Sequence, residues 1–236
     1  MTSTYPAAPS PPRTDRERNS ARSREAILDA AEQLFAERGY EATSLMEVGN
    51  LAGVSRATPG YFFGSKADLY FAVLERSFAG ARTAVLEGRD RALASHEPPE
   101  AVLAGVIRDY FDFLSARPAF VKLMERAALD DGPKWSGTNP GREAGQEALA
   151  AIVEQLGFDA GRSREAAHLL ISMIALCWFP MIHAETMSKS LGLDPNAPEF
   201  AEERKRHVVD LILHGVVGRL RAAQPSAPAP TTKSSE

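Results

Sequence analysis

A chain of 236 residues, 44% hydrophobic and 25% charged, is long enough to bury a substantial core and has the composition of an ordinary globular protein, which excludes a disordered or fibrous class. Its formal net charge of -4 provides no general basic surface, so any contact with nucleic acid must come from a basic tip on an acidic body. A single cysteine, Cys177, excludes an intrachain disulfide framework and suits a reducing compartment.

The segment Met1–Ser20 is rich in proline and has no apolar run, so no secretory leader is expected. The most apolar stretch, Leu169–Ile182, falls short of the roughly 18 residues of a membrane span and contains Ser172 and Pro180. A cytoplasmic address without a membrane partner is expected. Residues 1–19 and 222–236 have the composition of disordered tails. Arg13, Arg16 and Arg18, then Arg22 and Arg24 at the start of the first helix, make this end basic, although Asp15 and Glu17 dilute it. A solvated tail and an arm that adds phosphate contacts are both open readings.

Between the tails the periodicity is helical throughout, which predicts an all-α fold of about nine helices. A first helix from about Ala21 to Arg38 places Ile27, Leu28, Ala31, Leu34 and Phe35 on one stripe and stops at Gly39. A second opens at Thr43-Ser44, where Ser44 and Glu47 have capping-box spacing, and turns Leu45, Val48 and Leu51 inward. Gly53 breaks it, and Ser55 is placed to cap a short third helix through Phe63. Ser65, followed by Asp68, caps a long fourth helix. Further helical periods cover Ala101–Ala116, Ala119–Leu129, Glu143–Leu156, Ser163 to about Ser188, and Pro198–Arg221.

Two short helices joined by a tight glycine turn are the unit that reads DNA in the major groove. Gly53 permits the turn, and Ala52 and Val54 are small enough for close packing. The segment Ile27-Leu28-x-Ala30-Ala31-x-x-Leu34-Phe35-x-x-x-Gly39, then Thr43-Ser44, Ala52-Gly53-Val54-Ser55, Thr58, Tyr61-Phe62-Phe63 and Ser65-Lys66 resembles the TetR (AcrR-like) transcriptional regulators. The match spans about Ser23 to Val73. It divides the chain into a helix-turn-helix domain over 20–66 and a helical effector-binding and dimerisation domain over 67–221.

The resemblance implies that Thr43 and Ser44 bind phosphate through hydroxyl and backbone N–H. It implies that Ser55, Arg56, Thr58, Gly60, Tyr61 and Phe62 belong to the recognition segment, with Arg56 the candidate for guanine readout. Tyr61 and Lys66 then meet phosphate. Each has a plainer alternative: Ser44 and Ser55 as simple caps, Phe62 and Phe63 as core, Arg56 as a solvated side chain. Pro59 and Gly60 depart from the family pattern, and Pro59, which lacks an N–H, moves the expected start of the recognition helix to near Thr58.

In the second half, the Leu169–Phe179 run is apolar almost all round, and the final helix carries Val208, Val209, Leu211, Ile212, Val216 and Val217. These two helices are the expected dimer interface, through Leu169, Met173, Leu176 and Leu211, with Gly215 and Gly218 allowing close approach. A two-fold pair implies a palindromic double-stranded DNA operator. Phe111, Phe113, Phe120, Met124, Trp135 and Trp178, with Arg108 and His183 for polarity, are candidates to line an apolar pocket for a small-molecule effector, or else are plain core. The five histidines lack metal spacing, and no cofactor is expected. The function expected is a DNA-binding regulator, most simply a repressor released by a small apolar ligand. The alternatives are a helix-turn-helix factor without an inducer, acting as an activator or nucleoid-type protein, and a helical enzyme, for which no catalytic motif is present.

Overall fold

The computed structural model describes residues 15–129, 133, 140–156, 162–195 and 197–217. Among these the fold is all-α, in nine α-helices: α1 Asp15–Arg38, α2 Leu45–Leu51, α3 Thr58–Phe63, α4 Lys66–Ala94, α5 Pro99–Ala116, α6 Pro118–Leu129, α7 Pro140–Leu156, α8 Ser163–Ile182 and α9 Pro198–Ile212. Short π-helical segments, Ala184–Ser188 and Leu213–Val217, follow α8 and α9. The chain divides into two compact units: a head formed by Met1–Arg76 with Lys122–Ser136, and a body formed by Ser77–Val121 with Gly137–Glu236. The head therefore reaches further along α4 than residue 66 and takes in most of α6.

In the head, Ile27, Leu28, Ala31, Leu34 and Phe35 are all buried along one face of α1, as the 3.6-residue period requires. α1 is longer than its apolar stripe: it begins at Asp15, so residues 15–19, expected in the disordered tail and ahead of the predicted helix start, are helical. Phe35 meets Tyr70 of α4 edge-on at 5.0 Å between ring centroids, and Tyr40 meets Tyr70 at 5.1 Å. Arg76 of α4 ties the two helices further, bonding Asp29 at 2.7 Å, Glu32 at 2.6 Å and Glu25 at 3.3 Å along α1. At the other end of α1, Arg126 of α6 donates to the carbonyls of Ala36 (2.9 Å) and Glu37 (2.7 Å). These are last-turn acceptors without an intrahelical partner, where a cation also favours the helix dipole.

α2 and α3 pack on α1 and on each other. Ser44 and Glu47 form the predicted capping box, with the Glu47 amide donating to Ser44 Oγ (3.2 Å) and the Glu47 carboxylate accepting the Ser44 N–H (3.0 Å). Val48 is fully buried, but Leu51, expected to point inward, is 49% exposed because α2 ends there, before its last turn meets the core. Gly53 lies at φ 68°, in the left-handed region, with open space where a Cβ would stand. Its role is conformational. The close approach falls at Gly49, where an added Cβ would lie 3.0 Å from the Ser55 carbonyl oxygen and 3.3 Å from Arg56 Cα.

In the body, α8 buries Ala166, Leu169, Met173, Cys177 and Pro180 along one stripe and packs with α5, α7 and α9. At 20 residues it is long and apolar enough, by length and composition, to cross a membrane, which is more than the sequence pattern suggests. Its buried stripe packs against three neighbouring helices, while 28% of its most apolar window is buried. Lys205 of α9 is buried and bonds Asp112 of α5 at 2.7 Å, so this charge is compensated where it enters the core.

Gly49→Val should destabilise the head by about 1–3 kcal/mol through overpacking against backbone that cannot move aside. Gly53→Ala should cost about 1–2 kcal/mol through its left-handed φ alone. Denaturant unfolding followed by circular dichroism measures both, and a Gly49→Val protein as stable as the parent would refute the close approach. Burial pushes the Cys177 thiol up to about 12. A thiol reagent at neutral pH should therefore modify it only as fast as the body unfolds, which denaturant-dependent labelling rates will show.

Candidate DNA interface

The exposed side of the head is built on α3. The missing N–H of Pro59 is harmless in the first helical turn, so α3 begins at Thr58 with Ala57 at its N-cap. Pro59 is buried and anchors the helix, while Tyr61 is 86% exposed and Arg56 is exposed. Ser55 is not the cap that its position suggests. It sits outside the helix, its carbonyl accepting the Thr58 N–H (2.9 Å) and its hydroxyl 2.7 Å from Thr58 Oγ1. Gly60 and Phe62 are half-buried; Phe62 packs edge-on against Tyr61 at 5.5 Å, so it supports the exposed ring. Arg56 just before the helix and Tyr61 within it are thus exposed, with Thr58 half-buried between them.

Three predicted phosphate contacts have other partners in the structure. Thr43 is 2% exposed, its hydroxyl donating to the Gly39 carbonyl (2.9 Å) and its N–H to that of Tyr40 (3.3 Å). The residue closes the α1–α2 turn from inside, so its hydroxyl does not face a phosphate. Ser44 is accessible, but its N–H and hydroxyl are both given to Glu47. Those two bonds, first the hydroxyl and then the amide, hold the Glu47 carboxyl below the usual carboxylate range, with Arg38 adding to the effect. Lys66 Nζ donates to the carbonyls of Tyr40 (3.0 Å) and Glu41 (3.4 Å) and lies 4.2 Å from the Tyr40 ring centroid. An ammonium has three protons, so one remains for a phosphate.

The same cap recurs at α4. Asp68 accepts from the Ser65 hydroxyl (2.6 Å) and amide (3.1 Å), which hold its carboxyl low. Residues the sequence pattern did not mark also shape this surface. Gly49 lets α2 and α3 touch, and a glycine in the middle of a helix was the available signal. Arg24 stacks over the Phe63 ring at 5.0 Å, and Arg38 bonds Glu47 at 3.0 Å. Neither interaction has a sequence signature.

The effector candidates separate into several settings. Phe120 is buried in the body, 5.3 Å from Phe113, 5.7 Å from Trp178 and 6.0 Å from Phe78 between ring centroids. The Trp178 indole N–H donates to the Tyr110 hydroxyl. Burial pushes the Tyr110 phenol well above its ordinary value, so it stays neutral and keeps a proton to donate. Phe111 is fully buried core, and His183 caps α8 with its ring 4.4 Å from Phe179. Arg108 is exposed and lends no polarity to this cluster, and Met124 belongs to the head unit. Trp135 lies outside the described residues.

The dimer candidates are partly corrected. Leu169 and Met173 are buried within the chain, so they are not available to a second copy. The helix exposes a different stripe, Ile171, Ile174 and Phe179, with Leu176 half-buried between the two faces. On α9, Leu211 is 46% exposed, and Gly215 beyond it is also exposed. Gly218 lies outside the described residues.

Comparison with known proteins agrees with this geometry. Residues 27–73 match the model of bacterial regulatory proteins of the tetR family, and residues 99–212 match a tetracyclin repressor-like C-terminal domain. The chain is 25% identical over 206 residues to the HTH-type transcriptional repressor NicS of Pseudomonas putida, covering 85% of this chain and 95% of that protein. It is 33% identical over 149 residues to the HTH-type transcriptional activator FasR of Mycolicibacterium smegmatis, covering 62% and 66% respectively. A TetR family regulator from Marinobacter aquaeolei superposes with a TM-score of 0.63 at 18% identity, over 82% of this chain and 97% of that one. With a helix-turn-helix head that displays its reading helix and a matching helical body behind it in the chain, this protein belongs to the TetR family of DNA-binding transcriptional regulators.

Proposed function

We propose that the protein is a cytoplasmic, homodimeric repressor that binds a palindromic operator and leaves it when a small, largely apolar ligand occupies the body. The observation that carries the reading is the anchoring of α3: Pro59 buried on one side, Tyr61 and Arg56 displayed on the other. This arrangement gives a short helix a rigid back and a front free for the major groove. The repressor NicS, similar along most of the chain, favours repression.

In this reading Arg56 reads guanine, Thr58 and Tyr61 touch neighbouring bases and phosphate, and Lys66 spends its remaining proton on phosphate. Ser44 joins them when Glu47 releases its hydroxyl. The ligand binds where Phe113, Phe120 and Trp178 meet, with the neutral Tyr110 hydroxyl as its polar partner. A ligand that favours the conformer in which the two heads miss the groove lowers operator occupancy by population shift. The exposed stripe Ile171, Ile174 and Phe179 packs against its own copy across the two-fold axis. An apolar stripe facing away from its own core calls for such a partner.

Fluorescence anisotropy with DNA from upstream of its own gene tests the reading, and a folded dimer without sequence preference at moderate salt would refute it. Arg56→Ala should lose about 1–3 kcal/mol of operator binding and relax one base position. Lys66→Ala should weaken all DNA alike and lower the salt slope by about one. Ile171→Glu should leave the chain folded and monomeric by light scattering, because a carboxylate on the shared stripe would be buried against its own copy.

A further inference from the structure

The first turns of α1 serve no core. Every residue from Asp15 to Arg22 is exposed, and the first fully buried side chain of the helix is Ile27. The exposed turns Asp15–Arg22 carry Arg16, Arg18 and Arg22 against Asp15 and Glu17, which leaves a charge of 3 - 2 = +1 on a chain whose net charge is -4, and Arg24 just beyond them lies 3.8 Å from Glu25. The two acidic residues occupy the first turn, where they complement the helix dipole. Asp15 takes up Arg18 at 3.2 Å, while Arg16 and Arg22 form no ion pair among the described residues.

Arg24 fixes where this segment starts. Its guanidinium stacks 5.0 Å from the ring of Phe63, the last residue of α3, so α1 passes beside the C-terminal end of the reading helix. From there to Arg16 the helix runs eight residues further, about 12 Å at 1.5 Å per residue. That length exceeds the roughly 6 Å width of a minor groove. It therefore suffices to carry a cation from the edge of the major groove to the next phosphate strand.

We propose that Arg16, Arg18 and Arg22 form a helical arm that grips backbone phosphates flanking the base pairs read by α3, widening each half-site without reading sequence. The inference rests on the DNA-binding reading above. Phosphate is the partner that fits, because these charges are exposed, spread around the helix and without the fixed acceptor geometry of base recognition. Arg18 exchanges Asp15 for phosphate on binding, an exposed pair of small worth.

The test is the triple variant Arg16→Ala, Arg18→Ala, Arg22→Ala, measured by fluorescence anisotropy across a range of salt on a random-sequence duplex and on the upstream DNA. The salt slope should fall by about 0.9 for each phosphate that the variant no longer neutralises, and by the same amount on both duplexes. Replacing the three arginines by lysine should restore most of the slope, because a phosphate needs the charge more than the fork. Equal slopes and affinities for parent and alanine variant on the random duplex would overturn the arm. A lowered slope on both duplexes, with no preference of the parent for upstream DNA, would support the arm while refuting the operator reading.

Discussion

The reading surface depends on one absent side chain. At Gly49, α2 lies against the backbone of Ser55 and Arg56 with no atom to spare, so the loop into α3 is held by backbone contact. A side chain there would act as a spacer, and spacers rotate. With α2 held against the backbone of that loop, Pro59 is set inward and Tyr61 outward. The outer supports act on the same frame from its edges: Arg76 across α1 and α4, Arg126 on the final carbonyls of α1, and Lys66 on the turn between α1 and α2.

Much of this was legible beforehand because local chemistry decides it. Both Ser-x-x-acid caps formed as spaced, the apolar stripe of α1 went inside, and Pro59 set the start of α3, since each outcome requires only neighbours in sequence. Expectations fell short where partners outside the spacing pattern decide. Thr43 turns its hydroxyl to the Gly39 carbonyl four residues back, and Lys66 gives two of its protons to carbonyls 26 and 25 residues away. Leu169 and Met173 look like interface residues because α8 is apolar on both sides, and periodicity alone does not say which side faces inward.

The body shows how one helix serves two demands. α8 gives Ala166, Leu169, Met173, Cys177 and Pro180 to its own core and still presents Ile171, Ile174 and Phe179 outward. From the same helix half-buried Trp178 reaches the ring of Phe120 and the hydroxyl of Tyr110. A change in how the aromatic side chains pack is therefore felt on the same helix that displays the outer stripe.

Cys177 lies at the centre of that inward stripe, fully buried and held in its protonated form. A sulfur so placed is closed to peroxides and electrophiles while the fold is intact. Oxidative stress thus has no covalent handle on this regulator through its one cysteine, and information reaching the body through that position must arrive as reversible occupancy and shape.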